Sequence, residues 1–91
     1  MSLRFEWSES KAASNDAKHG VTFELAIEVF RDPFAMGFVD DRRDYREQRF
    51  IMIGTAGGHV LYVVYTEPQE DLIRLISARR ATKHEQQAYF Q

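Results

Sequence analysis

Residues 73–89 read Ile-Arg-Leu-Ile-Ser-Ala-Arg-Arg-Ala-Thr-Lys-His-Glu-Gln-Gln-Ala-Tyr, and the architecture follows from them. With Leu72 ahead of it, the stretch begins as a strand. Its residues are mostly β-branched or apolar, and period-two alternation sets Ile73, Leu75 and Ser77 on one face against Leu72, Arg74, Ile76 and Ala78 on the other. The strand runs into Arg79 and Arg80. Thr82, with Glu85 three residues on, gives a capping box in which each side chain takes up the other's free backbone N–H, so a helix starts there. Alternation puts Arg80 on the Arg74 face and turns Arg79 to the other side or the rim. A polyanion crossing the Arg74 face would meet two permanently charged guanidiniums. The same arginines also suit an ordinary surface role, paired with Glu67 or Asp71 or lying over apolar surface.

Outward from that stretch, residues 49–55 and 60–66 are apolar on both faces and joined across Gly57-Gly58, a hairpin signal, so they predict central strands. Residues 67–71 form the next turn, after which the last strand returns antiparallel. Residues 34–39 read as a strand interrupted by Gly37. The charged run from Asp40 to Glu47 reads as a solvated loop, with Glu47 and, just beyond it, Arg49 its only candidates for chemistry. Thr22 caps a second helix through Phe30, stopped by Asp32-Pro33, with Phe23, Ala26, Ile27 and Phe30 facing inward. A first helix starts at Ser8 or Ser10 and ends at Lys18 or His19, with Gly20 as its stop. On it Lys11, Asn15 and Lys18 fall at i, i+4 and i+7 and share a face with Ser14, which plainly read is a solvated stripe. Residues 3–7 alternate as a short half-buried strand. The sum is β-α-α-β-β-β-β-α: one α+β domain over residues 1–91, an antiparallel sheet with the two early helices on one face and a C-terminal helix.

Ninety-one residues bury only about 60–65% of their unfolded surface. A hydrophobic fraction of 44% with 13% aromatics still marks a folded protein rather than a disordered one. No apolar run reaches membrane-span length and no charged-then-apolar leader stands at the start, so the expected location is cytoplasmic, with no membrane partner. The chain has no cysteine, which excludes a disulfide scaffold, a zinc knuckle and a thiol nucleophile. His19, His59 and His84 lack metal-ligand spacing, and no cofactor is expected. Net charge is −2, which argues against binding nucleic acid through overall charge. Yet residues 74–91 hold four basic residues and one acid, so a local basic face is available.

Taken together, Phe5-Glu6-Trp7, Lys11-Ala12, Asn15, Lys18-His19-Gly20-Val21, Phe23, Phe30, Asp32-Pro33, Glu47-x-Arg49, Gly54, Val63-Val64-Tyr65-Thr66 and Arg74-x-Ile76-Ser77-Ala78-Arg79-Arg80-Ala81-Thr82-x-x-Glu85-x-x-x-Tyr89 resemble the BrnT family of toxins. The resemblance covers nearly the whole chain, and its Lys-His-Gly-Val and Ile-Ser-Ala-Arg-Arg-Ala-Thr segments are specific in combination. Ser8 departs from it, standing where the family usually has Asp, though Ser can also cap a helix. The resemblance implies a RelE-like α+β fold and the toxin of a type II toxin–antitoxin pair. Such a toxin cleaves RNA without a metal and slows translation. It is neutralised by a ribbon-helix-helix type BrnA antitoxin, usually two copies of each, and DNA is reached only through the antitoxin.

Metal-free RNA cleavage needs a base for the 2′-hydroxyl proton, cations for the charge that builds on phosphorus, and an acid for the leaving 5′-oxygen. Arg79 and Arg80 suit charge stabilisation, Lys18 and His19 a cation and a proton shuttle, and Glu47 a base or a partner of Arg49. Lys11, Arg49 and Arg74 would contact the RNA backbone, and Tyr89 would stack a base or cover the core. The reading from a different class is a non-catalytic module that keeps the fold and only holds an antitoxin, or RNA without cutting it.

Overall fold

A computed structural model describes residues 2–42 and 46–91. The sheet is built around β4 (His59–Gln69), whose central residues are all buried. It pairs antiparallel with β3 (Arg49–Ala56) on one side and β5 (Leu72–Arg80) on the other. The β3–β4 turn uses Gly57 and Gly58, both at positive φ, where a side chain would be strained. β2 (Met36–Asp40) extends the sheet antiparallel beyond β3, and β1 (Arg4–Glu6) pairs parallel with β5, giving the order β1-β5-β4-β3-β2. The element order agrees with the sequence reading, but the sheet is mixed rather than antiparallel. The chain leaves β1 through two helices before building the meander, and so has the length to lay β1 alongside its last strand in the same direction.

α1 (Glu9–His19) starts at Ser8, whose hydroxyl accepts from Lys11 N, and stops at Gly20 in the left-handed region. The second helix breaks in two: α2 (Phe23–Ala26), capped by Thr22, passes into a 3₁₀ stretch, Ile27–Arg31. One face of the sheet packs on this segment through Phe23, Ala26 and Val29 against Leu61, Val63, Leu75 and Ala78, all close to fully buried. Phe30 lies at the margin of this core, edge-on to Phe5 and Tyr65. Gly54 lets the 3₁₀ stretch approach, because a Cβ there would stand 2.9 Å from Val29 and 3.0 Å from Ala35. α1 does not share that face squarely. Its Ala12 touches the same core, but its Asn15 bonds the backbone of Ala78, so the helix runs along the outer edge of β5.

α3 (Lys83–Tyr89) covers part of the opposite face over Ile51, Ile53, Val60, Tyr62 and Val64, with the expected Thr82–Glu85 capping box formed. Two expectations change here. Asp40 belongs to β2 and is 2% exposed, because Arg42 grips both of its oxygens at 2.8 Å and a paired carboxylate can be buried. Arg43, Asp44 and Tyr45 of the expected loop lie outside the described residues.

The second change concerns the β4–β5 register. Val64 pairs with Ser77 but Tyr65 pairs with Leu75, so Ile76 is an extra residue, a β-bulge. Strict alternation fails at that point. Arg74 lies opposite Thr66 and Arg79 opposite Tyr62, on the α3 face, whereas Arg80 lies opposite Leu61 on the α2 face. Arg79 rather than Arg80 therefore shares the face of Arg74, and the bulge turns Ser77 onto that face as well.

Candidate functional site

The α3 face of the sheet is open on the side toward α1, and there a basin of about 350 Å³ is lined by Lys11, Ser14, Asn15, Lys18, His19, Arg49, Ile76 and Ser77. Its wall is the α1 stripe foreseen from spacing, since residues at i, i+3, i+4 and i+7 share one side of a helix. Its floor is the bulged part of β5. Lys11 and Lys18 are exposed and make no ion pair among the described residues, so their charge is directed at solvent. Arg49, half-buried at the start of β3, enters from the far side. An adjoining recess shares Lys11 and Ile76 and adds Arg74, which forms an ion pair with Glu6 at 2.6 Å. Thr66, opposite Arg74, has a buried hydroxyl with no partner among the described residues.

The other candidates lie apart from this basin. Arg79 donates to both oxygens of Glu85 at 2.8 and 2.9 Å, and its guanidinium lies 4.0 Å from the centre of the Tyr62 ring. Hydrogen bonding to Glu85 is the main cause that raises the Arg79 pKa, and the same bond is the main cause that holds the Glu85 carboxyl below its ordinary range. Arg80 is exposed and meets His59 Nε2 at 3.3 Å; since arginine only donates, that nitrogen is the acceptor. Glu47 lines a separate recess with Gln48, Phe50, Thr66 and Glu67. Neither Glu67 nor Asp71 pairs with the arginines; Glu67 accepts from the Asp71 backbone instead.

Tyr89 is a tie between elements, donating to Asp32 Oδ2 at 2.5 Å. Asp32 also accepts from Thr55 N, Thr55 Oγ1 and Phe34 N. Burial, the largest single influence on Asp32, pushes its pKa up. The bonds from Tyr89, Thr55 and Phe34 together outweigh it and bring the carboxyl to about 2. Sequence reasoning passed over Asp32 and Tyr62 as site neighbours, and it placed Ser77 on the wrong face. A bulge leaves no mark in the residue alternation, so nothing in the sequence announced Ser77.

The protein is thus a five-stranded α+β domain carrying a basic basin on a chain of net charge −2. The comparisons narrow this. Residues 7–85 match the profile of the family described as "ribonuclease toxin, BrnT, of type II toxin-antitoxin system". The crystal structure of the Brucella abortus ribonuclease toxin BrnT matches with a TM-score of 0.70 at 27% identity, covering 90% of this chain and 100% of that one. Comparison with curated protein sequences gives no match. The chain belongs to the BrnT family of ribonuclease toxins.

Proposed function

We propose that this protein is a metal-independent endoribonuclease whose RNA-binding surface is the basin, and that a BrnA-type antitoxin neutralises it. The observation carrying the reading is that Lys11, Lys18 and His19 of α1 and Arg49 of β3 line one cavity together with Ser14 and Ser77. Cations and hydroxyls that converge on a concave face suit phosphate oxygens, and they do not form a ligand set for a hard divalent ion. His19 takes the proton of a 2′-hydroxyl as that oxygen attacks phosphorus. Lys18 and Arg49 stabilise the phosphorane charge, and Lys18 or a water it orients protonates the departing 5′-oxygen. Lys11 and Arg74 hold the backbone on either side of the scissile phosphate. Arg80, on the opposite face beside His59, stands outside this scheme, and Arg79 serves structure through Glu85.

A cytoplasmic location, assembly as two toxins with two antitoxins, and contact with DNA only through the antitoxin complete the reading. The test is purified protein on single-stranded RNA with and without EDTA, beside growth after induction alone or with the antitoxin. Cleavage unaffected by EDTA, and arrest relieved by the antitoxin, are the expected results. A chain that captures antitoxin yet neither cuts RNA nor arrests growth is a binding module instead.

A further inference from the structure

We propose that Asn15 is the positioning residue of the basin, standing in for a missing strand to lock α1 over β5; this rests on the basin being the RNA surface. β1 covers the outer edge of β5 only as far as the Glu6–Arg74 pair. Beyond that pair, Ala78 turns its N–H and C=O away from β4 with no strand to receive them. Asn15 receives both: Oδ1 accepts from Ala78 N at 3.0 Å, and Nδ2 donates to Ala78 O at 2.9 Å. Nδ2 also donates to Val21 O at 2.9 Å, holding the segment that follows the helix. A side-chain amide carries the same donor and acceptor as a peptide group, so it can close a ladder where no strand reaches. Asn15 is 6% exposed, the one buried residue of a helix whose other positions, the half-buried Ala12 apart, are exposed.

The location of this clamp gives it a role in the site. On β5 it falls one residue after Ser77, the basin floor, and on α1 it lies one turn from both Lys11 and Lys18. It therefore fixes the rise and the rotation of the cations relative to the floor. The apolar contact of Ala12 is non-directional and cannot choose a register. A slip of one residue would turn the helix by about 100° and carry Lys18 off the basin. Asn15 touches no substrate in this scheme; it acts through Lys18.

The experiment is a double-mutant cycle on the intact chain. The affinity of a non-cleavable 2′-O-methyl oligoribonucleotide is measured by fluorescence anisotropy for wild type, Asn15→Ala, Lys18→Ala and the double variant, with melting temperatures alongside. Asn15→Ala should weaken binding roughly tenfold in the wild-type background and less than about twofold once Lys18 is gone, while lowering the melting temperature equally in both. Asn15→Gln, which keeps the amide one methylene further out, replaces Asn15→Ala if that variant does not fold, with the same pattern expected. Equal weakening in both backgrounds, no weakening in a folded variant, or a wild type that does not bind the probe overturns the proposal. A wild type that binds the probe but leaves ordinary RNA uncut removes the ribonuclease reading, and the cycle still decides on Asn15.

Discussion

The basin beside α1 and the clasp beneath α3 are both built from cations at the ends of secondary-structure elements, on the same face of the sheet, yet their charges are used in opposite ways. At the basin, Lys11 and Lys18 stand at solvent without a carboxylate among the described residues. At the clasp, Arg79 spends both terminal amino groups on Glu85 and covers Tyr62. A guanidinium so held has little left for a phosphate unless Glu85 lets go, whereas a lysine without a partner gives up no protein contact when an anion arrives. The difference teaches that the positions of basic residues in a sequence do not reveal a binding site. What distinguishes the two is whether a carboxylate lies within reach in three dimensions.

The sharpest way to break this contrast is to remove one charge from each region and compare activity with stability. At the basin, His19→Ala should lower RNA cleavage by ~10²–10⁴ and Lys18→Ala by ~10²–10³, the scales of a lost proton-transfer group and a lost stabiliser of developing charge. Both side chains are exposed, so the melting temperature should hardly move. Single-turnover cleavage and thermal unfolding of the same preparations check this. Loss of both properties together would mean that the basin is structural.

Much of the fold was legible because local signals agreed with the tertiary outcome: Thr22 and Thr82 cap helices, Gly20 stops one, and Gly57-Gly58 turns a hairpin. The shared face of Lys11, Asn15 and Lys18 was legible from helical periodicity, but it read as a solvated stripe, whereas Asn15 is buried against Ala78. Three features were not. The parallel pairing of β1 depends on a contact across more than sixty residues, which no local pattern encodes. The bulge at Ile76 reverses the faces of Arg79 and Arg80, and alternation cannot register an inserted residue. The burial of Asp40 depends on Arg42 folding back onto it, so a residue that looked like loop became part of a strand.

Arg79→Ala tests the other half of the contrast. It should cost about 1–2 kcal/mol of stability, toward the lower end for charged hydrogen bonds because the pair keeps some contact with water. Cleavage per folded molecule should change far less than with Lys18→Ala. Glu85→Gln should fall between wild type and Arg79→Ala, since the amide can still accept from Thr82 N and keep the capping box. Urea unfolding measures both. A cleavage defect in Arg79→Ala as large as that of Lys18→Ala, at unchanged stability, would place Arg79 at the reacting phosphate and end the distinction between the regions.

The smallest effect concerns the second tie of α3, from Tyr89 to Asp32. Tyr89→Phe removes one donor from a carboxylate that keeps Thr55 and Phe34, so at neutral pH it should destabilise less than Arg79→Ala. Its pH dependence is the distinguishing mark. The folded-state pKa of Asp32 lies near 2, below its ordinary 3.8, so its bonds stabilise fully above the ordinary value and are lost as pH falls toward 2. In Tyr89→Phe the pKa should rise back toward the ordinary value, because burial, the largest influence, loses one of its counterweights. The stability gap between wild type and Tyr89→Phe should therefore be constant from neutral pH to about pH 5, shrink below about pH 4 and close near pH 2. Cleavage should be unaffected at neutral pH, because neither Tyr89 nor its partner Asp32 lines the basin. A gap that persists undiminished to pH 2 would mean that the tyrosine acts by packing alone, and α3 would then be held at only one charged point, the Glu85 clasp.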